Sequence, residues 1–264
     1  RDASTVVLLR DAAGLETYLM RRATTMAFAA GMYVFPGGRI DNSDSEIDLA
    51  WVGDPLDHRR MTASESQARG LIVGAVREVF EETGVLLAVD DAGRPPVEDD
   101  AWEDDRAAVA ESSPALAQVL ARRGLRVDPG LLPLWTHWVT PEVESKRYDV
   151  RFFVAAVPPG QHARDVSGEA DQVVWTPPSA ALSDYARGQL PMLPPTVATL
   201  ADLVPLPDVA AVLASAADRD VRPLMPRPRL EDDGAIAWDV IDVRDGSVVV
   251  RLPAEPAGSE VAGA

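Results

Sequence analysis

The chain contains no cysteine. Disulfides, thiolate nucleophiles and cysteine-ligated zinc or iron–sulfur centres are therefore excluded. Histidine is nearly as scarce: only His58, His137 and His162 occur, too scattered to suggest a zinc site. No apolar run approaches the ~20 residues that span a bilayer, and no secretory leader is legible, so a cytoplasmic protein without a membrane partner is expected. Basic residues are in deficit, 25 against 42 acidic, for a net charge of −17. Such a surface repels nucleic acid polymers and anionic membranes and leaves a small molecule as the expected partner. What is present is ordinary for a soluble globular chain: 264 residues, 47% apolar and 25% charged, enough for one large core or two small ones.

One stretch is not ordinary. From Thr62 to Thr83 apolar residues recur at steps of three and four (Ala68, Leu71, Ile72, Ala75, Val76, Val79, Phe80), which predicts a helix. Thr62-Ala63-Ser64-Glu65 fits a capping box at its start, and Gly84 stands where a left-handed C-cap belongs. Arg77-Glu78-Val79-Phe80-Glu81-Glu82 closes it. Glu78 and Glu82 fall at the edge of the apolar stripe, with Glu81 slightly further out. Like charges one turn apart cost roughly 0.2–0.5 kcal/mol each, burial raises the cost, and acids at a helix C-terminus oppose the macrodipole. Packing and propensity do not explain such a cluster. A hard divalent cation shared with phosphate oxygens does.

Before the helix, Ser4–Arg10 and Leu15–Arg22 read as strands joined by a tight connection, and Met32–Phe35 as a third strand ending in Pro36-Gly37-Gly38. The two glycines permit positive φ and close backbone approach to a ligand. The acidic segment Asp41–Met61 reads either as a surface loop or as a lid beside the site. After the helix come a short strand at Val85–Val89 and helices at Trp102–Glu111 and Ala115–Arg123, whose charges read as a solvated face. Leu131–Val139 and Asp149–Val157 are strands. Lys146 and Arg147 between them read either as cations for a substrate phosphate or as ordinary loop charge, and His137 reads as a packed residue. Glu169–Trp175 is an acidic loop and strand in which Glu169 is either a metal ligand, a loop-borne base or a solvated acid. Pro177–Arg187, Leu190–Leu203 and Asp208–Ala217 are helices. From Val221 the chain is rich in Pro and Arg, and Ile236–Val243 and Ser247–Leu252 form a hairpin.

The run Arg77–Val85 resembles the second half of the signature of the Nudix hydrolase family, and Phe35-Pro36-Gly37-Gly38 resembles its start. In the family the arginine follows the leading glycine by fourteen positions. Here the separation from Gly38 to Arg77 is larger by about 25 residues, so the box is split. The family's intermediate glutamate, eight before the arginine, falls on Arg69 in a gap-free alignment, with Glu65 or an acid of the insert as open alternatives. The split, Gly31–Gly38 preceded by Arg22, the Trp138–Phe153 segment and a Leu-Pro-Pro run near Leu193 resemble the branch that includes mammalian peroxisomal coenzyme A and acyl-CoA diphosphatases.

The resemblance implies an α/β/α sandwich on a mixed sheet, over residues 1–190, with insertions near 41–61 and 90–125. Residues 191–264 then form a C-terminal extension packed on it. It implies Mg²⁺ or Mn²⁺ held by Glu78, Glu81 and Glu82, with Glu78 as base, Arg77 orienting the cluster, and Gly37, Gly38, Arg22, Lys146 and Arg147 meeting the substrate. The expected substrate is a small diphosphate: coenzyme A or acyl-CoA first, then nucleotide sugars, ADP-ribose or dinucleotides. A non-catalytic nucleotide sensor is the rival reading, and a homodimer is left open.

Overall fold

Val6, Val7, Leu8 and Leu9 are fully buried on one strand. A strand apolar on both faces needs cover on both, which predicts a central position between two helical layers. The computed structural model, which describes residues 1–26, 29–53, 60–62, 64–142, 144–166 and 168–254, shows that arrangement. The strand is β1 (Asp2–Asp11), flanked by β2 (Leu15–Arg22) and β4 (Gly37–Arg39), both antiparallel, and by β6 (Asp149–Ala156), parallel. β2 continues to β3 (Tyr33–Val34) and β7 (Ala170–Thr176), and β6 to β5 (Leu134–Val139). β1 pairs with β4 at Ala3–Thr5 but with β2 only from Leu9 to Asp11. The sheet thus opens between β1 and β2, and the Pro36-Gly37-Gly38 loop enters there.

Helices cover both faces. On one lies α2 (Glu65–Thr83) over Val6, Leu8, Tyr18 and Met20, joined by α1 (Asn42–Glu46), α3 (Trp102–Glu111) and α4 (Ala115–Arg123). On the other, α5 (Pro178–Ala186), α6 (Pro194–Leu203) and α7 (Val209–Ala217) pack on Val7, Leu9, Phe152 and Val154. No helix among the described residues is long and apolar enough to cross a membrane.

Three expectations need correction. The N-cap of α2 is Ser64, whose hydroxyl accepts from the Gln67 N–H, so the helix starts at Glu65 rather than at Thr62; Ala63 lies outside the described residues. Gly84 does close it in the left-handed region, at φ 77°. Val85–Val89 is fully buried but is not a strand: the Gln161 side chain satisfies the Leu86 backbone in place of a neighbouring strand. The Pro- and Arg-rich stretch forms β8 (Pro223–Leu230), which pairs with β9 (Ile236–Asp242) and, at its start, with β5. Because β8 meets β5 only at Pro223 and Leu224, its later prolines face no second ladder needing their N–H. With β10 (Val248–Leu252) the C-terminal strands extend the same ten-stranded sheet.

Candidate active site

Arg77 is the hub. Its side chain is 5% exposed, at the point where α2 passes over β4 and α1. Nε and Nη2 each donate to Asp44 at 3.0 Å, a bidentate pair. Nη2 also donates to the Arg39 carbonyl at 3.0 Å, and Nη1 reaches Glu78 at 2.8 Å and Glu81 at 3.1 Å. Burial opposes the guanidinium's charge, but Asp44, Glu78 and Glu81 outweigh it and keep Arg77 protonated. Asp44 comes this close because α2 carries Gly70 and Gly74 on the facing side. A Cβ on Gly74 would lie 2.4 Å from Ile40, and one on Gly70 2.2 Å from Ser45.

The loop glycines are needed for the same reason. The Gly37 N–H donates to Glu82 at 2.8 Å. Its φ is 149°, and a Cβ there would sit 2.2 Å from the Ser4 carbonyl oxygen. A Cβ on Gly38 would sit 2.4 Å from the Glu78 carboxylate. Loop and helix thus interlock at the opening between β1 and β2.

Burial dominates the electrostatics of the three glutamates. It pushes Glu78 up to about 7, against the pull of Arg77 and with the push of Glu81. It raises Glu81, and it lifts Glu82 well above the ordinary range, with Glu78 adding to the effect and the Gly37 N–H opposing it. Arg77 compensates this negative charge only in part. Hard oxygen donors in an apolar surround, short of positive charge, fit a divalent cation. As placed, Glu78 and Glu81 turn to Arg77, and Glu82 to Gly37. Among the described residues no three Asp, Glu, His or Cys side chains converge on one cation position.

The NUDT19 Nudix domain family matches residues 66–203. The chain belongs to the Nudix family. It is similar to the acyl-coenzyme A diphosphatase NUDT19 of Xenopus laevis, 28% identical over 222 residues, covering 68% of this chain and 57% of that protein. It is also similar to NUDT19 of Homo sapiens, 23% identical over 270 residues, covering 85% and 71%. The chain thus spans little more than half the length of the frog relative. A crystal structure of a Nudix hydrolase from Alicyclobacillus acidocaldarius is 33% identical with a TM-score of 0.68, covering 81% of this chain and 95% of that one.

The split Nudix box closes in space. Counted back from Arg77, its intermediate acid falls on Arg69, whose guanidinium instead lies 4.7 Å from the centre of the Trp51 ring. Counted forward from Gly38, the sixth position is Asp44, the residue that grips Arg77. The extra residues therefore enter after Asp44, and a count made from both ends of the box would have found it. Residues 54–59 of the insert, His58 among them, lie outside the described residues.

Arg22, at the end of β2, is close enough to Glu82 to lower it, and Glu169 close enough to raise it. The Glu169 carbonyl accepts from the Ala23 N–H at 2.8 Å, which fixes this loop beside Arg22. Lys146 and Arg147 are exposed on the β5–β6 connection, where the Arg147 Nε donates to the Thr140 carbonyl. No described contact joins them to the glutamates. His137 pairs with Asp149.

Two further groups were not legible. The Arg106 Nη1 donates to the Glu81 carbonyl at 3.0 Å, and the Trp102 Nε1 to the Gly84 carbonyl at 2.8 Å, so α3 caps the last turn of α2 rather than merely facing solvent. Tyr18, on β2, holds a buried hydroxyl with no hydrogen-bond partner among the described residues, pushed up by burial and by Asp165 and Glu82.

Proposed function

We propose that the chain is a metal-dependent Nudix diphosphatase that cleaves coenzyme A or acyl-CoA at the diphosphate, giving 3′,5′-ADP and (acyl-)4′-phosphopantetheine. The observation that carries the chemistry is the buried Glu78–Glu81–Glu82 cluster tied to Arg77 and Asp44. The NUDT19 relatives point to the substrate.

Glu78, Glu81 and Glu82 would hold Mg²⁺ or Mn²⁺. When bound, such a cation polarises phosphoryl oxygens and acidifies water. Glu78, near neutrality in its buried setting, is suited to take the proton of the attacking water at its carboxylate. Arg77 holds Glu78 and Glu81 in register through its charge-assisted bonds. Gly37 and Gly38 keep the loop against the cluster, and Arg22 adds positive charge beside Glu82 for a phosphate oxygen.

The test is a substrate panel of coenzyme A, acyl-CoA, ADP-ribose, a nucleotide sugar and a dinucleotide, each with Mg²⁺ and Mn²⁺, read by product mass spectrometry. Cleavage of coenzyme A or acyl-CoA to 3′,5′-ADP is expected, and Glu82→Gln should cut it by about 10²–10⁴-fold. Preference for another diphosphate would move the substrate assignment. Tight ligand binding without turnover in either metal would point to a sensor, and full activity of Glu82→Gln would refute the metal site.

A further inference from the structure

Among the described residues, five buried side-chain polar atoms have no hydrogen-bond partner. Three of them, Trp135 Nε1, Trp138 Nε1 and Thr199 Oγ1, belong to residues lining one cavity of about 300 Å³. The three residues are 1%, 3% and 1% exposed. Native proteins leave few such groups unpaired, because each costs about 1–3 kcal/mol, so three around one cavity call for an explanation. The same cavity accounts for a second oddity. Val249 and Val250 on β10 are 47% and 40% exposed, and both line it. The cavity lies among β5, α6 and β10, with Trp135, Trp138 and Leu252 in the core cluster on the sheet face opposite α2. It is separate from the glutamate site.

The lining defines the ligand. Indole N–H groups donate only, and a threonine hydroxyl also donates. Arg219 and Arg222, the cations of the lining, are already paired with Asp202 and Asp220. Apart from Thr136, the remaining lining residues are apolar. We propose that this cavity is a second, non-catalytic binding site for a small amphipathic molecule with an apolar tail and a head of oxygen acceptors, a carboxylate or a ketone. At roughly 30 Å³ per methylene-sized volume, the cavity of about 300 Å³ holds about ten heavy-atom groups, a tail of about eight carbons together with its head. Arg219 lies over the Trp135 ring, 3.8 Å from its centre, with its Nε on the Trp135 carbonyl. It moves aside when the head group reaches the Trp135 indole donor beneath it, and the tail covers Val249 and Val250.

The test titrates the full chain with octanoate, 2-octanone and octylamine, by calorimetry and tryptophan fluorescence. Octanoate or 2-octanone binds saturably at one per chain, and octylamine, whose head donates, binds at least tenfold more weakly. Thr199→Val and Trp138→Phe each weaken the acceptor ligand at least fivefold, while Glu82→Gln leaves its affinity unchanged. In the ligand-free protein Thr199→Val raises Tm, because it removes an unpaired hydroxyl. That opposite movement of stability and affinity separates a ligand donor from a packing residue. Three outcomes overturn the site: no saturable binding, octylamine binding as tightly as octanoate, or affinities indifferent to both substitutions.

Discussion

The Asp44–Arg77 pair is bidentate, and both side chains are almost completely buried. Removing one partner of such a pair leaves an uncompensated charge and costs about 3–5 kcal/mol. Asp44→Asn should fall near the lower end, since Glu78 and Glu81 still face the guanidinium. The expected outcome is a loss of about 3 kcal/mol in urea denaturation, with a fall in kcat as Arg77 loses its anchor. The two loop glycines should part company. Gly38→Ala pushes only against the movable Glu78 carboxylate, so the fold survives and Tm barely changes. Turnover should fall by about 10²-fold, the scale of a displaced catalytic group. Gly37→Ala meets the fixed Ser4 carbonyl at an unfavourable φ and should lower Tm clearly. Circular dichroism melts beside a turnover assay separate the two. The glutamates and the arginine were readable because acids in an apolar stripe contradict packing. Asp44 was not, because a count back from Arg77 alone runs across the insert, and only a count forward from Gly38 reaches it.

At the scale of elements, the helices were the legible part. The helices expected at Trp102–Glu111 and Ala115–Arg123 are found with those bounds. The failures share a physical cause. Val85–Val89 has a strand's composition and burial, but a side-chain amide holds the Leu86 backbone, and among the described residues only Val89 pairs with another segment's backbone, in a single bridge to Arg126. Pro223–Leu230 has a composition hostile to strands, yet it pairs along its length with β9. Local composition reports what a segment prefers, whereas neighbours decide what it pairs with. β8 also joins the hairpin of β9 and β10 to β5, and Val240 and Leu252 are buried in the second core cluster. Truncation after Ala217 should therefore leave β5 as a bare edge over an opened core. We expect an aggregating product, seen as loss of the monodisperse peak in size-exclusion chromatography.

For the whole molecule, pH sets stability through its shifted groups, and Asp149 is an instructive one. Burial raises its carboxyl, but the hydrogen bond to His137 and the charge of Arg151 outweigh burial and hold it below its ordinary range. A carboxyl depressed in the folded state stabilises the fold above its unfolded value, and that contribution fades as pH falls through the folded one. Asp149→Asn should cost about 1 kcal/mol at pH 7, discounted for the partial exposure of the group. The gap from the parent protein should close once the solution is acid enough to protonate Asp149. Urea titrations of both proteins at pH 7 and at successively lower pH, until the two coincide, check this.

The glutamate helix is gripped from outside the helix itself, by Asp44 at Arg77 and by Trp102 and Arg106 at its last turn. A transplant of the Arg77–Val85 run alone into another scaffold would carry Arg77 and the acids without the Asp44 that anchors the arginine or the end-stop that Trp102 and Arg106 supply. A minimal engineered version of this catalyst therefore has to keep the segments before and after that run that supply these contacts.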